Sequence, residues 1–513
     1  MAEKDWKGRT SASGGPYYKV EGLVTKLGTV FLAPTVIVTT GTYLDADIVI
    51  GESVMPGGPD HQQNAVGLAD SLAEFAIPLM RFKTGTPVRV NKKSLDLSQM
   101  EVQDGDPEPW TFGYYYGEKS PRRDLQEPCY ITWTGPEAQK IIEDNIDRSP
   151  LYSGVVKGIG PRYCPSFEDK IVKFPDRKRH QLFIEPMEDG SEEMYVQGLS
   201  SSMPVDVQMA VLHSIPGLEK AKVQRMGYAI EYTCLDPTCL DPSLQIKHVA
   251  GLFSAGQMNG TSGYEEAAGQ GLVAGVNSVL YLEGKDPFLL DRSEAYIGVL
   301  IDDLVTEGTK EPYRMMSSRA EYRLILRQDN ADLRLTEKAY QLGLVSQKQY
   351  ERFSQRREKL EKEKARLEET RVRPTPEVNQ FLEKRGTAAL EGGMALADLL
   401  KRPEISYLDL AELDPLIITD DPQLAESVEN DIKYEGYIRL EENRMEERSL
   451  PDTIDYNAIS GLRLEARQKL SKIRPLSIGQ AGRISGVSPA DIAVLLVYLE
   501  SLKDQNQTEE DPQ

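Results

Sequence analysis

GLFSAGQMNGTSGYEEAAGQGL, residues 251–272, is the stretch whose reading decides the fold class. Residues 251–255 are mostly apolar and read as a short strand. Gly256, Gln257, Asn259, Gly260 and Gly263 follow as a loop at its carboxyl end, and a helix starts near Glu265. Ligands of open α/β sheets sit at the carboxyl ends of strands. The free N–H groups and positive dipole end of the helix face the same loop. Ala267, Ala268, Gly269, Gly271, Ala274 and Gly275 let that helix pack closely on a sheet or a cofactor. The plainer alternative is a tightly packed helix with no ligand.

Upstream, residues 1–16 carry little periodicity and read as a flexible lead-in. Residues 17–38 alternate in β fashion around Lys26-Leu27-Gly28, which predicts a hairpin with Gly28 in the turn. A buried strand over 35–39 ends at Thr40-Gly41-Thr42, small residues that suit close backbone approach to a ligand. A Gly/Pro loop at 54–65 precedes a helix near 66–75, and RFKTGTPVRV at 81–90 reads as a strand-and-turn unit. Thr134-Gly135-Pro136-Glu137 has capping-box spacing, predicting a helix through Asp147. Residues 151–235 alternate short apolar runs with turns, an α+β pattern.

After about residue 290 the chain turns helical and charged. Residues 355–370 read as a solvated helix or short coiled coil, and Ser488-Pro489 opens a last helix over 488–502 before a tail expected to be disordered. The stretch 477–499 passes for a helix-turn-helix or, equally, for a small partner-binding module.

The 513 residues exceed one ordinary core, so two or three domains are expected. No apolar run approaches the ~18 residues of a transmembrane helix, and the polar N-terminus is no secretory signal. Four cysteines in so long a chain argue for a reducing compartment and against a disulfide framework. Cys234 and Cys239 have no histidine nearby, which disfavours zinc. The net charge of -21 argues against bulk nucleic-acid binding but leaves room for a basic patch.

Two further clusters have chemical potential. In GIGPRYCPSFEDKIVKF, residues 158–174, Arg162 offers a bidentate fork, Tyr163 a stacking face, and Glu168 and Asp169 proton-transfer groups. A neighbouring cation such as Arg162 or Lys170 would raise the thiolate fraction of Cys164. Between 311 and 336 lie Arg314, Arg319, Arg323, Arg327 and Arg334. They suit either a phosphate-contacting face or an ion-paired helix edge, because Glu321, Asp329 and Asp332 are interleaved.

These stretches together resemble the large, FAD-containing subunit of the tRNA uridine 5-carboxymethylaminomethyl modification enzymes, the MnmG (GidA) family. The matching segments are TTGTYLD (39–45), RFKTGTP (81–87), DRSPLYSGVVKGIGPRYCPSFEDKIVKF (147–174), RHQLFIEP (179–186), YAIEYTC (228–234), residues 251–272, residues 308–336, KYEGYI (433–438) and SIGQAGRISGVSPA (477–490). A smaller relative, the folate-dependent tRNA methyltransferase, lacks the long helical half that carries the last two.

The resemblance implies FAD, electrons from NADH, a GTPase partner (MnmE, in a heterotetramer), a homodimer and a cytoplasmic location. It implies addition of an aminomethyl or carboxymethylaminomethyl group, drawn from a methylenetetrahydrofolate donor, to carbon 5 of the wobble uridine of tRNA. It assigns Cys164 a catalytic thiol, and FAD contacts to Gln257 and Ala65, with Gly256, Asn259 and Gly263 beside them. It assigns NAD binding to Gly160, Pro161, Arg162, Tyr163, Pro165, Ser166, Phe167, Glu168, Asp169, Lys170, Ile171, Val172, Lys173 and Phe174. The loop around Ala65, GGPDHQQNA, departs from the usual family form.

The family opens with a strand, a GxGxxG-type loop and a helix. Gly14-Gly15 and Gly57-Gly58 lack that spacing and setting. Roughly 150 residues, a small domain's worth that includes a second family cysteine, have no counterpart. The expectation is an α/β chain that starts near the end of a Rossmann-like FAD domain. Its remnant covers 1–87 and 236–285, an inserted α+β domain spans 88–235, and an all-helical domain for the GTPase and tRNA spans 286–513. The alternative is an inactive remnant that binds tRNA or a partner.

Overall fold

A computed structural model describes residues 18–105, 113, 127–163, 165–444, 450–451, 454–475, 478–484 and 486–509. The predicted lead-in, most of the polar stretch between 106 and 126, and Cys164 lie outside the described residues.

The predicted hairpin pairs Gly22–Val24 with Val30–Leu32, with Gly28 at φ +80° in its turn. Two parallel pairs then tie distant parts of the chain together. Tyr18–Lys19 runs beside Val249–Ala250, and Val36–Val38 beside Leu252–Ser254. One core accordingly joins Val38, Leu44 and Leu72 to Leu252, Phe253, Val273 and Ile301.

Next to it stands a four-stranded sheet in the order Ser53–Pro56, Asp47–Ile50, Tyr228–Leu235, Leu79–Thr86. All eight residues of Tyr228–Leu235 are buried, so both faces of that strand are covered. RFKTGTPVRV takes its predicted strand-and-turn form, with strand Leu79–Thr86 broken at Pro87-Val88 before Arg89–Asn91. Tyr228–Leu235 offers a partner to every residue from Leu79 to Thr86, so the strand continues straight through Gly85 and turns only after Thr86.

The segment between these strands builds a second, six-stranded antiparallel sheet. Leu182, Ile184, Met194 and Val196 are fully buried on its inner face, each contributing about 1.5–3 kcal/mol. Helices Pro136–Glu143, Phe167–Lys173 and Val205–His213 cover that face. The predicted capping box does not form. Gly135 is the N-cap, one residue later than expected, because Thr134 Oγ1 accepts the His180 N–H at 2.9 Å and is held in the sheet.

Behind the α/β body the chain is helical. Gln347–Glu369 opens with a true capping box between Ser346 and Gln349. It packs in one core with residues up to Ile432, and residues from Leu450 to Leu499 form another. In the last helix, Pro489–Glu509, Ser488 and Asp491 cap reciprocally, as expected. The helix runs on to Glu509, so residues 504–509, expected as disordered tail, extend it instead. The mixed α/β front with helices behind is the fold class the sequence predicts.

Candidate functional site

Strand Leu79–Thr86 separates two places where the predicted site residues gather. Alternation along a strand sends successive side chains to opposite faces. A Cβ on Gly260 would meet the Phe82 ring at 3.2 Å, whereas one on Gly160 would meet Lys83 Cε at 2.5 Å. Phe82 therefore packs toward the glycine loop and Lys83 toward the GIGPRYC segment.

On the Phe82 side, the strand Leu252–Ser254 leads into a 3₁₀ turn, Gly256–Asn259, and then helix Tyr264–Leu282. The turn TTGTYLD closes over this loop. Thr40 Oγ1 lies 3.2 Å from Met258 Sδ, and Gln257 Oε1 lies 4.0 Å from where a Gly41 Cβ would stand. Ala65 is tied to the same turn by hydrogen bonds to Tyr43 and Asp45. Gln257 and Ala65, far apart in sequence, thus converge on one turn.

Asn259 is committed elsewhere. Its carboxamide bonds Ser254 at 2.5 and 2.9 Å and Gln270 at 2.8 Å, so it shapes the loop from inside. Gly263, at φ +144°, lets the backbone pass where a Cβ would collide with the Glu266 carboxylate. Glu266 is 3% exposed. One oxygen accepts the Met315 N–H at 2.7 Å, and the other has no hydrogen-bond partner among the described residues.

On the Lys83 side is a cleft of about 390 Å³, lined by Lys83, Leu151, Val156, Gly160, Arg162, Asp169, Lys173 and Glu311 among others. Lys83 N–H bonds Ile159 O at 3.0 Å, fastening the GIGPRYC segment to the strand. Tyr152 O–H donates to Asp169 Oδ1 at 3.0 Å, and Lys173 Nζ donates to Oδ2 at 2.7 Å. Burial first, and then the Asp169 charge, push the Tyr152 phenol well above its usual range, so it stays a donor.

The helix period divides residues 160–174. Gly160, Pro161, Arg162, Pro165, Asp169 and Lys173 line the cleft. Phe167 and Ile171 belong to the hydrophobic core. Glu168 is fully buried and accepts from Ser202 N–H and Oγ, while Lys170 donates to Gly198 O at 2.7 Å. Ser166 is buried, and Tyr163, Val172 and Phe174 are exposed. Sequence reasoning gave Lys83, Tyr152 and Glu311 no role. A lysine flanked by Phe82 and Thr84-Gly85 in a strand is the one signal that pointed to the first.

Cys234 and Cys239 are buried, Cys234 within a β-sheet and Cys239 in the core beneath helix Tyr264–Leu282. Burial pushes both thiols up to about 12, so they stay protonated at neutral pH.

Family models match most of the chain. Residues 11–286 match Glucose inhibited division protein A, residues 347–442 the tRNA modifying enzyme MnmG/GidA C-terminal helical domain, and residues 440–513 the MnmG/GidA C-terminal helical bundle. A relative from Caldicellulosiruptor saccharolyticus, named tRNA uridine 5-carboxymethylaminomethyl modification enzyme MnmG, is 53% identical over 491 residues. That match covers 94% of this chain and 78% of the relative. Another of that name, from Geobacillus thermodenitrificans, is 52% identical over 94% of this chain and 77% of its own. The structure of Aquifex aeolicus GidA in its form II crystal superposes with a TM-score of 0.84 at 43% identity, covering 94% of this chain and 77% of that one.

An α/β body with a strand–glycine-loop–helix, a cationic cleft and helical domains behind it is here the body of a tRNA-modifying enzyme. The chain belongs to the MnmG/GidA family.

Proposed function

We propose that this chain works in a flavin- and NADH-dependent modification of tRNA, in which an aminomethyl or carboxymethylaminomethyl group is added to carbon 5 of the wobble uridine. On this reading a GTPase partner (MnmE) and a methylenetetrahydrofolate donor take part, the protein is a homodimer, and the reaction is cytoplasmic. The single observation that carries the reading is the convergence on strand Leu79–Thr86 of two sites, the 256–263 loop and the cleft around Lys83, in a chain of this family.

The residues present fit a flavin where Gln257, Gly41 and Ala65 meet. The turn there is small, and the free oxygen of Glu266 is a buried acceptor in the first turn of the following helix. Bound there, FAD would supply hydride transfer. The chain's own contribution is placement. Lys83, Arg162 and Lys173 give the cleft cations suited to phosphate or carboxylate. Tyr152 and Lys173 hold the Asp169 carboxylate in one orientation. Cys164, between Tyr163 and Pro165 in sequence, is the proposed nucleophile: a thiolate added to the pyrimidine ring makes the neighbouring carbon nucleophilic. The domains proposed for these tasks are 1–87 with 236–285 for the flavin, 88–235 for NADH and substrate, and 286–513 for the GTPase and tRNA.

The test is reconstitution. The purified chain is incubated with FAD, NADH, the GTPase, the folate donor and tRNA lacking the modification, and the nucleosides are analysed by mass spectrometry. The modified uridine should appear, and Cys164→Ser should abolish it. If no flavin absorbance is retained and no product forms while RNA is still bound, the inactive binding remnant is the correct reading instead.

A further inference from the structure

Helix Phe167–Lys173 is followed by FPDRKRH, residues 174–180, which returns the chain to strand Gln181–Pro186. Residues 172–179 are all exposed. Between 157 and 179 there are seven Lys and Arg against three Asp and Glu, in a chain of net charge -21. One of the three, Glu168, is buried, and another, Asp169, is paired with Lys173.

A solvated charged turn normally pairs its cations with the nearest carboxylates. Here Asp176 is adjacent, yet among the described residues Arg177, Lys178 and Arg179 form no ion pair. Instead the arginines lie by rings. The Arg179 guanidinium sits 4.3 Å from the centre of the Trp133 ring, and that of Arg177 sits 6.0 Å from Phe174. An arginine stacked in this way is held flat, with its outer plane and donor fork turned to whatever approaches. At the other end, Arg162 lies 6.0 Å from the exposed ring of Tyr163, at the cleft. The cations also reach inward. After burial, Lys170 and Arg177 hold the His180 imidazole below its usual range.

We propose that residues 174–179, continued through Lys173 to Arg162, form the strip on which the RNA substrate lays its backbone. Phosphates take the forks of Arg177 and Arg179 and the Lys178 ammonium, and an unstacked base lies on the Arg179–Trp133 stack. RNA loops are bound in this manner, by cations along the backbone and by stacking of splayed bases. Arg179 lies six residues after Lys173, at most ~22 Å of chain, so the strip leads an RNA strand directly into the cleft. The inference rests on the tRNA-modifying reading and adds to it an RNA-contacting surface on the α/β body, beside the cleft.

The test is fluorescence anisotropy of a labelled anticodon stem-loop RNA with the full 513-residue chain, titrated with KCl from 50 to 300 mM. R177A/K178A/R179A should weaken binding about 10- to 100-fold at 100 mM. It should also lower the salt slope by up to about 2, since each single-strand phosphate contact adds ~0.7. Arg179→Lys keeps the charge and loses the planar stack, so affinity should fall several-fold at unchanged slope. K19A/K26A/K285A, three exposed lysines outside both the loop and the helical domains, should bind as the wild type does. Equal affinity and slope in the loop triple overturns the proposal, and so does an equal loss in both triples. It is also overturned if the loop triple keeps RNA and loses only the GTPase, which would make the strip a protein contact. If the wild-type chain binds no RNA even at 50 mM KCl, the tRNA-modifying reading fails first.

Discussion

Two arginine-rich segments of this chain have opposite fates. In residues 311–336 the cations turn inward. Arg327 bonds Asp329 at 3.0 Å and Asp431 at 2.8 Å, Arg314 faces Glu266, Arg319 lies over the Tyr313 ring, and Arg334 is spent on the carbonyl oxygens of Glu294 and Arg327. Of the five, only Arg323 is exposed. In residues 173–179 the three consecutive cations stay outside, and the two arginines among them rest on rings. Arginine count alone does not mark a nucleic-acid surface. What separates the two is whether acids from neighbouring elements reach the guanidinium groups, and Asp431 and Glu266 come from far along the chain. The inward set glues the α/β body to the helical domains, and the outward set is free to meet a ligand.

The largest effect that tests this contrast is Arg327→Ala. It leaves Asp329, mostly buried, without its cation, and Asp431 with Lys364 alone. Breaking one side of a buried pair costs about 3–5 kcal/mol, to be read from urea unfolding. A loss below about 1 kcal/mol would remove the distinction between the segments. Arg483→Ala comes next. Arg483 reaches Asp302 at 2.9 Å and Glu321 at 3.2 Å, and Gln480 beside it bonds Asp302 and Thr306. These two side chains of SIGQAGRISG dock the C-terminal bundle on helix Tyr296–Glu307, so they are not presented as a recognition helix would be. About 1.5–3 kcal/mol should be lost, with earlier proteolytic release of residues beyond 450. Resistance equal to the wild type would refute the docking role.

Acid should sharpen the contrast further. Burial raises the Glu321 carboxyl, but hydrogen bonds and charge from Arg292 outweigh it and leave it net lower than usual. A lowered folded-state value stabilises above the unfolded value, ~4.3 for Glu, and that contribution fades as pH falls through the folded value. The stability advantage of wild type over Glu321→Gln should therefore be constant near neutrality and shrink below about pH 4. Urea midpoints that stay parallel from pH 6 to 3.5 would show that Glu321 is not coupled to Arg292 in this way.

Much of this was legible in the sequence. The strand–loop–helix at 251–272, the hairpin around Gly28 and the Ser488 cap depend on local residue chemistry, and they formed as read. What escaped was decided by distant partners. The full length of the strand before Pro87 could not be read, because Tyr228–Leu235 sets it from 140 and more positions away. Thr134 looks like a cap until His180 claims its hydroxyl. A stretch of fourteen candidate contacts between 160 and 174 cannot all face one cleft once seven of them form a helix, which turns Phe167 and Ile171 into the core. Lys83 was missed for the converse reason, since its neighbour across the sheet, Gly160, is what makes a site of it.

The smallest expected effect is the most diagnostic. R177A/K178A/R179A removes three cations at once, yet none of them is in an ion pair among the described residues, so no carboxylate is left stranded. Solvent-exposed substitutions of this kind stay within about 0.5 kcal/mol each, and the Arg179–Trp133 stack adds about 0.5–1 kcal/mol where it is exposed. Thermal and urea unfolding should thus show the triple no more than about 2.5 kcal/mol below the wild type, under the cost of the single change at Arg327. A loss of 3 kcal/mol or more would mean that the loop cations are structural like those of 311–336, and any fall in RNA affinity would then report damage to the fold and not a missing contact. Stability within that bound with weakened RNA binding has no such explanation, because the charges removed are paired with no carboxylate among the described residues.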